Sequence, residues 1–388
     1  MKERIKYLRE MDKILGDICC TLLAVNKVFR KKKALDTGKI KRILLIKFWG
    51  FGSLLLMTPS IRALKNKYPK AKLTILTLEQ NRHLCERIRF IDEIITVSIK
   101  STARALNDIA KTLEILRKKE FDVSIDFEFF VGVSAIITYL SGAYYKIGFR
   151  SGRIHSRNSL YDKAVLYNKK KHITENFANL VRPLGVRKVD YVLEKLKTTQ
   201  KDRRYLSVLL KKAGITGKDK LVCMNINAGE LAFERRWPKD RFVELAKRII
   251  KNYPNAKIVF IGNGKDKEYV KSALATLGNK GLINFAGKLD IPQLQILFEK
   301  SDLFITNDSG PMHLAAATQT NSICLFGPET PQLYAPLNRN SRVVYKKLKC
   351  SPCMDVYNRK KIICHNGAEC MKKITVGEVL GKVKSVLK

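Results

Sequence analysis

Between residues 41 and 127, short apolar runs alternate with stretches whose apolar positions recur every three or four residues. The run Ile43-Leu44-Leu45-Ile46 predicts a buried strand at 41–47, and the following pattern predicts a helix at 53–68 closed by Tyr68-Pro69. A strand at 72–78, a helix near 81–89, short strands near 93–97 and 122–127, and a helix from Leu106 to Lys118 extend the series. A second series begins near 220, with strand 221–227, helix 239–252 ended by Tyr253-Pro254, and strand 257–261 running into Gly262-Asn263-Gly264. Strand 282–286, helix 291–300, strand 303–307, helix 311–318 and strand 321–326 complete it. Strands alternating with helices imply βαβ units and parallel sheets covered on both faces. The class is α/β, with two successive doubly wound domains and a linker near 195–215. Sheets of this kind take ligands beyond the carboxyl ends of their strands, so the expected site is the cleft between the two. Residues 150–171 are basic and irregular and read as a flexible arm.

Composition adds a constraint on partners. The 388-residue chain carries a formal net charge of +40, which favours anionic partners such as nucleic acid, lipid headgroups or phosphorylated sugars; a lysine-rich proteome gives the same balance. No nucleic-acid motif and no aromatic–basic stacking platform accompanies the charge, so no nucleic-acid partner is expected. At the start, Leu8, Met11, Leu15, Ile18, Leu22, Val25 and Phe29 form one apolar helix stripe within a segment, 1–33, that holds ten Lys/Arg against four Asp/Glu. The pattern suits a helix lying in a membrane interface, and equally a helix packed on its own domain. No secretory signal is read here, and the apolar run Ile18–Val25 has 8 residues where a span needs about 20.

Five of the nine cysteines lie scattered in apolar or helical surroundings, as reduced packing residues do. Cys350, Cys353, Cys364 and Cys370 cluster near the end with His365, but the trailing spacings of eleven and six fit no common zinc knuckle. No metal is expected there.

Two turns carry candidate chemistry. The first, 47-KFWGFGSLLLMTP-59, leaves a strand, bends at Gly50 and Gly52 and restarts as a helix, yet it holds no acid, base or metal ligand; its one reactive group is the Ser53 hydroxyl. The second, 303-LFITNDSGPMHLAAATQTNSICLFGPETP-331, ends a strand at Asn307-Asp308 and starts a helix with Ser309, Gly310 and Pro311. Proline at the first turn of a helix loses no hydrogen bond, and the unpaired amides there suit a diphosphate. Asp308 and His313 are expected to face the same cleft; an ordinary capped turn with a core histidine is the plainer alternative.

These residues resemble glycosyltransferase family 9, the heptosyltransferases of lipopolysaccharide assembly, over about residues 40–375. The D-S-G-P-M-H-L-A-A-A run with the later L-F-G-P, and the opening glycine turn with T-P-S-I-R-A-L-K-N-K-Y-P, carry the resemblance. In 235-RRWPKDRFVELA-246, Arg235 stands where the family has a basic residue, more usually lysine, against the nucleotide-sugar phosphates. The Gly262-Asn263-Gly264 turn resembles the family's nucleoside-contacting turn, with Asp266 near its acidic residue. The resemblance implies a GT-B fold, two Rossmann-like domains facing a central cleft, and metal-independent, inverting transfer of a sugar, without a cofactor, from a nucleotide-diphosphate donor. ADP-heptose is the family donor and a lipid-A-linked core sugar the usual acceptor. The implied partners are that donor, an anionic glycolipid and the inner-leaflet surface; the implied place is the cytoplasmic face of the inner membrane, held peripherally. On this reading 1–38 is a basic amphipathic helix, 39–205 the acceptor domain, 206–345 the nucleotide-sugar domain and 346–388 a cysteine-containing tail. Arg150, Arg153 and Arg157 are the candidates to meet the acceptor's anionic groups.

Inversion by direct displacement calls for a base, which the family supplies as an aspartate after the glycine of the first turn. This chain has Ser53 there. The stretch 122-DVSIDFEFF-130 offers Asp126 and Glu128 instead, which period-two alternation puts on one face among Phe127, Phe129 and Phe130. Desolvation would raise either carboxyl toward a useful pKa, whereas a capping Asp126 and a solvated Glu128 are the bland reading. A member that binds nucleotide-sugar without turnover is the alternative that Ser53 supports.

Overall fold

The computed structural model describes residues 10–28, 34–98, 102–151, 156–229, 232–275, 281–357 and 360–387. The chain divides into two compact units, Met1–Tyr191 and Val192–Lys388. In the first, strands β1 (Arg42–Ile46), β2 (Lys72–Leu78), β3 (Glu93–Val97), β4 (Val123–Asp126), β5 (Tyr145–Arg150) and β6 (Lys163–Leu166) form one parallel sheet in the order β3-β2-β1-β4-β5-β6. The second repeats the plan with β7 (Lys220–Asn225), β8 (Ala256–Phe260), β9 (Leu282–Asn284), β10 (Leu303–Asn307), β11 (Ser322–Phe326) and β12 (Ser341–Tyr345), ordered β12-β11-β10-β7-β8-β9. Both are doubly wound, Rossmann-like sheets. Ile43 to Ile46 and Leu303 to Ile305 are fully buried, because a parallel strand between two helical layers has no solvent face.

Strand order reverses between β1 and β4 in one unit and between β7 and β10 in the other. Neighbouring connections there run to opposite faces and leave a crevice at the strand ends, where such sheets take ligands.

Several sequence expectations change. The helix expected at 53–68 is two, Phe51–Leu56 and Thr58–Lys67, because Pro59 has no N–H for the Leu55 carbonyl; the Thr58 hydroxyl takes that acceptor at 2.6 Å instead. The one near 81–89 is a single turn, Arg82–Cys85. The arm expected at 150–171 contains the end of β5, a helical turn at Ser156–Ser159 and edge strand β6, fastened by buried Leu160 and Tyr161. The supposed linker holds a helix, Gln200–Lys212, begun by a reciprocal cap between Thr199 and Asp202. Gln295 bonds both backbone groups of Leu196 just before it. The tail is part of the second unit: Cys370, Met371, Ile374, Val379 and Val383 are buried in its core, and the Trp237 indole donates to the Ile374 carbonyl at 2.9 Å.

The N-terminal helix, Asp17–Val28 after a wider turn at Asp12–Gly16, packs on the helix Gly132–Leu140. Residues 1–9 and 29–33, which include Leu8 and Phe29 of the stripe, lie outside the described residues.

One packing detail is open to direct test. A Cβ added at Gly148 on β5 would fall 2.3–2.7 Å from the Tyr161 ring. That ring is held by its hydroxyl on Asp126 at 2.6 Å and by the Arg157 guanidinium 5.1 Å from its centroid. Gly148→Ala is therefore expected to destabilise the protein by about 1–3 kcal/mol, the usual cost of overpacking, as read by denaturant unfolding.

Candidate functional site

The switch point of the second unit is built from the ends of β7 and β10. The Asn307 amide donates to the Ile226 and Asn227 carbonyls at 3.2 Å each, and its oxygen accepts the Trp237 N–H at 2.9 Å. Three segments are thereby pinned around the start of the helix Gly310–Ala317. Asp308 and Ser309 precede that helix, both buried, and Ser309 shares hydrogen bonds with Asn225 and Thr306. Arg235 lies across the strand end, its Nη1 3.1 Å from the Asp308 carbonyl and 3.3 Å from its Oδ2. The buried Arg235 Nε has no hydrogen-bond partner. A guanidinium with an unspent donor, next to the open amides of a helix start, is suited to bind an anion. His313 is buried one turn into the helix. Asp266 caps its own turn by accepting the Asn263 N–H at 3.0 Å, and pairs at 3.9 Å with Arg236. Arg236 in turn lies between the rings of Phe233 and Tyr269, at 4.3 and 4.5 Å.

In the first unit the glycine turn hangs from one carboxylate. Glu128 Oε1 accepts the N–H groups of Phe48 and Trp49 at 2.6 and 2.8 Å, and Oε2 meets Lys47 Nζ at 2.9 Å. Both side chains are buried, at 3% and 1% exposure. Lys47 also lies 5.1 Å from the ring centre of Phe129, which stacks on Phe149 and Phe177. Gly50 takes φ +91°, a conformation glycine adopts without strain, and starts the helix Phe51–Leu56. Gly52 and Ser53 are the second and third residues of that helix, both half-buried. Ser53 therefore lies inside the helix, and Gly50 stands at its N-cap.

Asp126, at the end of β4, is wholly internal. Its Oδ2 accepts from the Tyr161 and Ser134 hydroxyls at 2.6 and 2.8 Å and from Arg157 at 3.2 Å, while Oδ1 accepts the Glu128 N–H. Burial pushes its pKa up, opposed by the Arg157 charge.

Residues 109–363 match the profile of glycosyltransferase family 9 (heptosyltransferase). The chain belongs to this family. Lipopolysaccharide heptosyltransferase 2 of Salmonella typhimurium is 25% identical over 308 residues, covering 76% of this chain and 84% of that protein. Its Escherichia coli counterpart is 24% identical over 331 residues, covering 80% and 91%. The solved structure of E. coli ADP-heptose lps heptosyltransferase II superposes with a TM-score of 0.70 at 23% identity, covering 90% of this chain and 98% of that one. The fold is that of the GT-B heptosyltransferases.

Within this family 9 glycosyltransferase, Arg235, Asp308, Ser309 and Gly310 lie at one strand end, with His313 one turn into the helix. The acceptor-side expectations fare differently. Arg157 is 5% exposed and directs its guanidinium to the Val131, Phe149 and Glu128 carbonyls and to Asp126; it braces the sheet from inside. Arg150 is exposed at the end of β5, and Arg153 lies outside the described residues. Asp126, enclosed by four donors, has no free edge for a substrate proton, and Glu128, expected as a desolvated base, already accepts from three donors.

Glu329 was missed. It sits on the turn leaving β11, close enough to Asp308 to feel its charge; the Asp308 N–H donates to the Leu325 carbonyl at 2.9 Å. Glu329 is 2% exposed, with Oε1 accepting the Thr330 N–H at 3.0 Å and Oε2 facing Lys360 Nζ at 3.6 Å. The signal was available: an acid in a G-P-E-T-P turn directly after the strand that flanks the site. Burial raises its pKa to about 7, with Lys360 opposing and the Asp308 charge adding. Among the described residues no group of three or more His, Cys, Asp or Glu is set to hold a metal ion; the Cys353 and Cys370 thiols are pushed up by burial.

The raised pKa gives a pH test. A carboxyl whose folded pKa exceeds its ordinary value stabilises the fold fully only below that ordinary value of 4.5, and the contribution is lost as pH rises to about 7. Glu329→Gln, neutral throughout, is expected to gain stability relative to wild type between pH 4.5 and 7, by about 1–3 kcal/mol, and then level off. Denaturant unfolding of both proteins at pH 5 and pH 8 reads the difference; an equal gap at both values excludes the assignment.

Proposed function

We propose that this glycosyltransferase moves heptose, with inversion and without a metal ion, from ADP-heptose to a lipopolysaccharide core sugar or a related glycolipid at the cytoplasmic face of the inner membrane. The named activities of the relatives support the donor and acceptor. The observation that carries the reading is Arg235 laid on Asp308 at the start of the Gly310 helix. In the step proposed, the acceptor hydroxyl oxygen bonds to the anomeric carbon as that carbon's bond to the phosphate oxygen breaks. The electron pair leaves with the diphosphate, and the hydroxyl proton passes to solvent water. Arg235 and the helix amides stabilise the charge gathering on the leaving group, in place of a cation.

On the acceptor side we assign Glu128 to positioning. It sets the path of residues 47–50, and with them the helix that carries Ser53. The catalytically silent reading is favoured by one observation, Ser53 at the family's aspartate position.

Purified protein with ADP-, UDP- and GDP-sugars and a deacylated core acceptor, analysed by mass spectrometry, tests the function. ADP-heptose should be consumed and one heptose added. Turnover with another nucleotide-sugar alone would overturn the donor, and binding without turnover would favour the silent reading. Arg235→Ala is expected to weaken donor binding by about ten- to a hundredfold, the worth of a charge-assisted contact, with the melting temperature nearly unchanged; calorimetric titration measures it.

The proton acceptor can be located by crossing two substitutions. Ser53→Asp is expected to raise turnover by about tenfold or more, within the range of general-base catalysis. Glu128→Gln should slow wild type and Ser53→Asp by similar factors if Glu128 positions the turn. Rescue of Glu128→Gln by Ser53→Asp would instead make Glu128 the base.

A further inference from the structure

The N-terminal helix is attached by one face only. Gly16 packs against Gly132 so closely that a Cβ on Gly132 would lie 3.0 Å from the Gly16 Cα. The Asp12 carboxylate accepts the N–H groups of Gly132 and Val133 at 3.1 and 2.7 Å, at the open start of the Gly132–Leu140 helix. Further along, the Thr21 hydroxyl meets Ser156 Oγ at 3.0 Å, and Cys20 packs with Ala135, Tyr139, Leu160 and Tyr161. Small residues and an inward acid therefore fix this helix to the first unit.

Among the described residues the opposite face has no partner. Ile14, Leu15, Ile18, Leu22 and Val25 are 60%, 49%, 52%, 68% and 60% exposed; at 100° per residue Ile18, Leu22 and Val25 share one face of the α-helix, and Ile14 and Leu15 lie on the wider turn that leads into it. Isolated exposed aliphatics are ordinary, but five in one ridge mark an interaction surface. The stripe read from the sequence is thus not what binds the helix to its own domain.

We propose that this ridge docks the enzyme on an anionic lipid surface, the helix lying in the interface with its five aliphatic side chains in the acyl boundary. The inference deepens the glycolipid reading above and rests on it for the acceptor's location. Charge decides the occupant. Lys2, Arg4, Lys6 and Arg9 precede the ridge in sequence, and Arg30 to Lys33 follow it. Of the four acids in 1–33, Asp12 is turned inward on the Gly132 helix. An anionic bilayer complements such a ridge, whereas a second copy across a twofold axis would oppose basic flank to basic flank. The chain holds no described helix long and apolar enough to cross a membrane, so attachment of this kind is peripheral.

Co-sedimentation of the full chain with phosphatidylcholine vesicles, with and without phosphatidylglycerol, tests the proposal. Wild type should bind the anionic vesicles, and the double substitution Ile18→Glu with Leu22→Glu should cut the bound fraction tenfold or more, with an unchanged melting temperature. Transfer to the deacylated acceptor should be equal in both proteins, so loss of vesicle binding is separable from failure of the functional reading, in which wild type itself would be inactive. Equal vesicle binding by variant and wild type overturns the proposal. So does wild-type self-association that the substitutions abolish, without vesicle binding, as read by light scattering.

Discussion

Where a parallel sheet reverses its strand order, two strand ends part company and their last backbone groups lose the ladder that satisfied them. Buried amides without partners are costly, so the parting has to be bridged. In this enzyme each sheet uses one side chain from the end of the later of the two parting strands, β4 or β10. Glu128 reaches from the end of β4 to the amides that follow β1, and Asn307 reaches from the end of β10 to the carbonyls that follow β7. The rest of each half-site follows from these bridges: one fixes the glycine turn, and the other fixes Trp237, hence the neighbouring Arg235, against the start of the Gly310 helix. The Glu128 bridge is the more demanding. Its charge is matched by Lys47 in a buried pair, and removing either partner would strand the other at a cost of about 3–5 kcal/mol.

The two bridges differ in what they leave open. Asn307 is neutral and makes its three hydrogen bonds to backbone, so the charged pair beside it, Arg235 and Asp308, takes no part in the bridge. In the first unit the charges are themselves the bridge. The carboxylate that accepts two amides and pairs with an ammonium has both oxygens committed to holding the turn. The residue whose burial first suggested a base is therefore spent on positioning. The second unit has its own neutral-range carboxyl, Glu329, which is buried near the Asp308 and Arg235 charges.

The strands that sequence could locate are those buried on both sides, Ile43 to Ile46 and Leu303 to Asn307 among them, whose unbroken apolar runs have few alternatives. Edge strand β6, Lys163 to Leu166, is half exposed and four residues long, and its charged approach reads as loop. The helix Gly132–Leu140 is apolar and rich in β-branched residues, so its periodicity is hidden. At the site, the Asp308 to His313 run declared itself because its turn chemistry is local. Glu128, Asp126 and Arg157 were legible as residues but not as partners: their roles depend on contacts with Lys47, Tyr161 and the Phe149 carbonyl. Burial among aromatics suggested a desolvated acid for Glu128, and pattern gave no warning of Lys47 opposite it.

Each bridge also joins distant parts of the chain, Phe48 to Glu128 and Ile226 to Asn307, 80 and 81 residues apart. Contacts so far apart in sequence form late, after the loop between them has been closed. During synthesis, β1 to β3 and their helices emerge well before the glutamate that closes their crevice, and Lys47 must wait in solvent for its counter-ion. The first crevice is complete once β4 and its trailing turn have left the ribosome, while the second cannot close until the β10 turn follows. The crevice that carries Arg235 and Asp308 is thus the later of the two to be completed on a nascent chain.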